Sequence, residues 1–67
     1  MRNIKDFKIS LKAARINARL TQVEAAERIG VTKETIINWE KSKSEPKLKQ
    51  VKRLAEIYNI PVELLIV

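Results

Sequence analysis

Fourteen lysines and arginines stand against eight aspartates and glutamates in these 67 residues, with neither a histidine nor a cysteine among them. That inventory narrows the chemistry. Without imidazole or thiol there is no zinc site, disulfide, thiol nucleophile or base titrating near neutrality, and the eight carboxylates form no ligand-like cluster. The sequence therefore reads as a non-enzyme with no metal, no cofactor and no evident small-molecule substrate. What remains is recognition by charge. The net charge is +6 and it is blocked: residues 1–19 hold six basic and one acidic side chain, residues 20–40 two and four, residues 41–53 six and one, and residues 54–67 none and two. Segments of +5, −2, +5 and −2 suit a polyanion whose phosphates are met on two sides of a less basic centre. Lys41, Lys43, Lys47 and Lys49 are the leading phosphate candidates. A solvated face is the competing explanation for any surface cation, and for Lys12, Lys52 and Arg53 the two readings weigh equally.

The elements that must position these groups are helical. Apolar residues make up 45% of the chain, with one glycine and two prolines, too few turn residues for a strand-rich domain and too much hydrophobicity for disorder. No apolar run reaches the roughly 20 residues of a membrane span, and the charged N-terminus is no signal peptide. At this length one small domain, residues 1–67, is expected, and a domain of roughly 60 residues buries only about 60% of its unfolded surface.

Five segments follow from the punctuation. The first begins at Ser10, an N-cap, and carries Leu11, Ala14 and Ala18, with Ile16 and Leu20 extending its apolar side. Residues 1–9 form an N-terminal arm that is either extended and packed through Phe7 and Ile9 or an extension of the helix. The second opens on the capping box Thr21-Gln22-Val23-Glu24, carries Val23, Ala25, Ala26 and Ile29, and stops at Gly30. Only Val31 then precedes Thr32, a second N-cap, and Ile36 and Trp39 mark the buried face of a third helix. So short a connection favours two short helices crossing steeply, a helix-turn-helix over residues 21–40. After the polar loop Lys41–Glu45, Pro46 opens a fourth helix bearing Leu48, Val51, Leu54, Ala55 and Tyr58, and Pro61 opens a last short one from Val62 to about Ile66. The expected fold is all-α, a compact four- to five-helix domain.

Within residues 22–41 the core face (Ala25, Ile29, Val31, Ile36, Trp39), the small Ala26 and the turn at Gly30 obey a specific pattern. Here the sequence resembles the helix-turn-helix domain of phage repressors of the Cro and C1 (XRE) type. Arg15, Thr21-Gln22, Gly30-Val31-Thr32, Glu40, Pro46 and Ile60-Pro61-Val62-Glu63-Leu64-Leu65 extend the likeness over nearly the whole chain. Three positions depart from the family pattern: Ser42 where a glycine is frequent, Ala25 where leucine is, and Ile37 where a polar side chain is.

The resemblance implies a lambda-repressor-like fold whose third helix, at about residues 32–40, enters the major groove of double-stranded DNA. Lys33, Glu34, Thr35 and Asn38 would then read bases: Lys33 donating to guanine, Asn38 pairing with adenine, Glu34 accepting from cytosine and the Thr35 methyl touching thymine. Thr21, Gln22, Thr32, Lys41, Lys43 and Lys47 would meet phosphates. Arg15 and Glu40 would form a structural pair bridging the first and third helices. Trp39, Tyr58 and Phe7 are assigned to the core. The implied function is a sequence-specific transcriptional regulator, most simply a repressor acting as a homodimer, cytoplasmic and nucleoid-associated, bacterial or phage-encoded. A protein-interaction or antitoxin-like adaptor on the same fold is the competing function. The apolar end Leu64-Leu65-Ile66-Val67 is either the dimer patch or a lid on the core.

Overall fold

Each helix begins where a side chain can replace the hydrogen bonds that a helix N-terminus lacks. In the computed structural model, which describes residues 8–66, Ser10 caps α1 (Leu11–Asn17), its Oγ accepting from the Ala13 N–H at 3.1 Å. Thr21 caps α2 (Gln22–Ile29) with both halves of the capping box closed: the Glu24 N–H donates to Thr21 Oγ1 at 3.0 Å, and the Thr21 N–H donates to Glu24 Oε1 at 2.9 Å. The Thr21 backbone N–H, and after it the Thr21 side chain, favour the ionised form and hold the Glu24 carboxyl below its ordinary pKa. Thr32 caps α3 (Lys33–Glu40) by accepting from the Thr35 N–H. The fourth start differs from expectation. Pro46 lies outside α4 (Leu48–Ile57), and Lys47 occupies the cap position with only its backbone N–H paired, to Gln50 Oε1 at 2.7 Å.

The helix ends share one device. Arg19, Gly30, Ser42 and Asn59 all have positive φ, between 54° and 86°, and the N–H that follows each reaches back five residues to a carbonyl: Leu20 to Arg15, Val31 to Ala26, Lys43 to Asn38 and Ile60 to Ala55. This is the bond of a Schellman-type stop, which the left-handed residue makes possible. Only Gly30 adopts that conformation without steric cost; Ser42 adopts it where the family favours glycine, and Arg19 and Asn59 do so with no glycine signal at all.

The buried stripes run at i, i+3, i+4, i+7. They comprise Leu11, Ala14 and Arg15 on α1 with half-buried Ala18 at its C-cap, Ala25 and Ala26 on α2 flanked by half-buried Gln22 and Ile29, and Val51, Leu54 and Ala55 on α4 with Tyr58 at its C-cap, while Ile36 and Trp39 point inward on α3. Three apolar residues expected inside are exposed instead. Ile16 and Val23 each lie one residue, about 100° of rotation, off their stripe, and Leu48 opens α4 at the edge of the core. Ala25 is completely buried on α2, which packs against α3 and α4, so its small side chain faces packed structure rather than an exposed gap.

The C-terminal segment corrects a second expectation. The helix from Val62 to Ile66 is only a 3-10 turn, Val62–Leu64, after which β2 (Leu65–Ile66) pairs in parallel with β1 (Ile9–Ser10), Ile9 opposite Leu65 and Ser10 opposite Ile66. Lys8 Nζ adds a bond to the Glu63 carbonyl at 2.8 Å. Ile9 is thus extended and packed, while Phe7, the rest of the arm and Val67 lie outside the described residues. Leu65 belongs to the core, as the lid role expects, and Ile66 to the surface.

Candidate nucleic-acid interface

The turn between α2 and α3 is as short as the sequence suggested: Gly30 at φ 86°, then Val31, then the Thr32 cap. Val31 is half-buried and fastens the turn to the core, so α3 leaves α2 with little freedom and presents Lys33 and Glu34 to solvent. Thr35, Ile37 and Asn38 are half-buried at its flank, and Ile36 and Trp39 point inward. Trp39, 7% exposed, is a core residue and no stacking platform.

Hydrogen bonds already fix several of the proposed contact residues. Thr32 Oγ1 and Thr35 Oγ1 lie 2.9 Å apart, and Thr32 Oγ1 also accepts from the Thr35 N–H, so these hydroxyls lock the first turn of α3. The Asn38 carbonyl accepts from the Lys43 N–H at 2.9 Å, which ties the start of the lysine loop to the last turn of the helix. Lys41, Lys43, Lys47 and Lys49 are all exposed, distributed over the loop and the first turn of α4. The left-handed Ser42, between Lys41 and Lys43, reverses the chain at the point where the basic segment begins.

Beneath this surface lies a buried polar cluster. Arg15 Nε donates to Glu40 Oε2 at 2.6 Å and Nη2 to Glu40 Oε1 at 3.2 Å, with the two side chains only 9% and 5% exposed. Arg15 Nη1 donates to the Leu20 carbonyl at 2.9 Å, so one guanidinium joins α1, the α1–α2 turn and the end of α3. The hydrogen bond to Glu40 raises the Arg15 pKa against an opposing desolvation. Tyr58, 4% exposed, is pushed up to about 12, chiefly by burial and then by the Glu40 charge, so its phenol stays neutral at every physiological pH. The expected Arg15–Glu40 pair is therefore present and bidentate.

Sequence reasoning missed a third member of that cluster. Gln22 Nε2 donates to Glu40 Oε1 at 3.2 Å. The expected phosphate donor is thus engaged inside the protein through one of its two amide protons. A signal was available: Gln22 heads the 22, 25, 26, 29 stripe and must face the core, whereas its neighbour Val23 does not. Among the described residues no group of acidic, histidine or cysteine side chains has the arrangement of a metal site, and no helix is long and apolar enough to cross a membrane.

A family profile described as helix-turn-helix matches residues 11–65, from the first residue of α1 to the first of β2. The chain belongs to the XRE-type helix-turn-helix family. This is a family of DNA-binding regulators, and the all-α helix-turn-helix fold expected of it is the fold described above. A transcriptional repressor of the cryptic phage CTXphi, RstR of Vibrio cholerae, is 37% identical over 60 residues, covering 90% of this chain and 54% of that protein. An uncharacterised HTH-type transcriptional regulator of Archaeoglobus fulgidus is 40% identical over 53 residues, or 79% and 75% of the two chains. Antitoxin HigA1 of Mycobacterium tuberculosis is 37% identical over 57 residues, 85% of this chain and 38% of its own length. The chain thus spans about half the length of RstR and less of HigA1. No solved structure matches it.

Proposed function

We propose that this helix-turn-helix protein is a sequence-specific, double-stranded-DNA-binding transcriptional regulator, acting as a repressor that occupies an operator. The observation that carries the reading is a rigid α3 whose opening turn is solvent-facing and which runs directly into an exposed lysine loop. In this reading α3 lies in the major groove. Lys33 and Glu34 reach base edges first, with Thr35 and Asn38 behind them, while Lys41, Lys43 and Lys47 meet the phosphates beside the Glu40 end of α3, where Gln22 and its neighbour Thr21 join them, and Thr32 meets a phosphate at the opposite end of α3. Thr35 contributes its methyl group, because its hydroxyl is shared with Thr32. The relatives named as a phage repressor and as transcriptional regulators support the same assignment. One short recognition helix reads only a few base pairs, so the working unit is a homodimer spanning two half-sites about one helical turn apart.

Selection of bound duplexes from a random pool, at moderate and then raised salt, tests this. An inverted repeat with steeply salt-dependent affinity is the expected result. Weak, salt-insensitive retention without a consensus overturns it in favour of the second reading, a protein-interaction module. That reading has its own observations: the HigA1 relative is named as an antitoxin, and Ile16, Val23, Leu48 and Ile66 expose apolar surface.

A further inference from the structure

Gln22 and Glu40 come from opposite ends of the helix-turn-helix, the first residue of α2 and the last of α3, and the hydrogen bond between them is 3.2 Å long. An ionised carboxylate accepts and never donates, so only the NH2 edge of the Gln22 amide can face Glu40. That contact removes the freedom to flip and most of the rotamer freedom of a long side chain, freedom that otherwise has to be lost on binding. One proton of Nε2 is held by Glu40, and the second makes no other hydrogen bond among the described residues. Glu40 is itself immobilised by its two bonds to Arg15, which in turn is held to the Leu20 carbonyl immediately before the α2 cap. The guanidinium neutralises the carboxylate, so the anion at the interface side of the cluster is compensated rather than left to repel DNA.

We infer that Glu40 is a positioning residue for DNA binding: through Gln22 it presets the amide so that the free N–H is offered to a backbone phosphate, and it thereby sets the register of α2 and α3 on the same strand. The inference rests on the proposed DNA-binding reading. It distinguishes Glu40 from a residue that only fastens α1 to α3, because a fastening role acts through Arg15 and is indifferent to what stands at position 22.

The test is a double-mutant cycle of Glu40→Gln and Gln22→Ala on duplex DNA of fixed sequence, with folding checked by denaturant titration. Gln22→Ala removes one charge-assisted donor and is expected to weaken binding about tenfold, as for a hydrogen bond to a charged group. Glu40→Gln is expected to weaken it about fivefold when Gln22 is present and less than twofold when Ala stands there. Equal losses in both backgrounds overturn the inference. A second measurement needs no variant: in the folded protein without DNA, the two Gln22 side-chain amide protons should resonate further apart and exchange more slowly with water than in the same chain unfolded in urea. The same separation and exchange rate in the folded and unfolded chains overturn it even if Glu40→Gln does not fold. Should the unmutated chain bind no DNA while the amide is held, the functional reading fails and the preset amide stands only as a structural feature, which also overturns the positioning role.

Discussion

Removing Arg15 should cost far more than a surface cation. The Arg15 side chain is 9% exposed and the Glu40 side chain 5%, and the guanidinium makes three hydrogen bonds, two to Glu40 and one to the Leu20 carbonyl. In Arg15→Met the aliphatic stem is replaced and packing is largely kept, but Glu40 is left as a buried carboxylate with Gln22 as its remaining partner. Losing one partner of a buried pair costs about 3 to 5 kcal/mol. A chain of this size has a total stability of only about 3 to 10 kcal/mol, from roughly 0.05 to 0.15 kcal/mol per residue, so the variant should sit at the edge of unfolding at 25 °C. Replacing both partners, Arg15→Met with Glu40→Leu, removes the stranded charge, and recovery of at least half the loss is expected because apolar substitutes for a buried pair are often neutral. Urea titrations of the two single variants and the double variant measure this directly. A single-variant loss below about 1 kcal/mol, the range of a solvent-screened surface pair, would refute the claim that this cluster is desolvated and holds α1 to α3.

Three further outcomes are expected. Gly30→Ala should destabilise by about 1 kcal/mol through backbone strain alone, since φ is 86° and an added Cβ meets nothing within 4 Å; Ser42→Gly, at φ 59°, should stabilise by up to about 1 kcal/mol, and thermal melts compare the two. Tyr58 binds its proton more tightly folded, at about 12, than unfolded, at about 10, so its contribution is complete below pH 10 and is lost as pH rises through 12; stability curves of the native chain and Tyr58→Phe, equal in shape below pH 9, should diverge above pH 10 by at most about 1.4 kcal/mol per pH unit. Leu65→Lys should unfold the domain, because Leu65 is in the core and pairs with Ile9, whereas Ile66→Lys should leave it folded, and sedimentation then reports whether exposed Ile66 serves the dimer.

The helix-turn-helix was legible in the sequence because its instructions are local. Thr21 and Glu24, Gly30, and Thr32 lie within one or two turns of the backbone they satisfy, and the structure uses each of them as a cap or stop. The Arg15–Glu40 pair came from the resemblance alone, since nothing local links residues 25 positions apart. What was not legible depends on distant partners or on unusual conformers. Leu65 becomes a strand only because Ile9, at the other end of the chain, supplies the pairing, and a proline-initiated apolar segment by itself reads equally well as a helix. Arg19, Ser42 and Asn59 take left-handed conformations without glycine, held there by the i to i−5 bonds they permit and, at Leu20 and Ile60, by an apolar side chain that follows into the core. Gln22, the polar member of the α2 stripe, is assigned to a phosphate by the resemblance; its spacing turns it toward the core, and only the packing of α3 against α2 brings Glu40 to it.

If α3 reads bases and the lysine loop holds phosphates, substitutions in the two elements must act on specificity and on affinity separately. Repeating the duplex selection with Asn38→Ala and with Lys43→Ala tests it most directly. Asn38→Ala should lose preference at one position of each half-site at a cost of about 1 to 3 kcal/mol, while Lys43→Ala should keep the consensus, weaken all sequences alike and lower the salt slope by about one. An unchanged consensus with Asn38→Ala would remove base reading from α3, and an altered one with Lys43→Ala would place it in the loop instead.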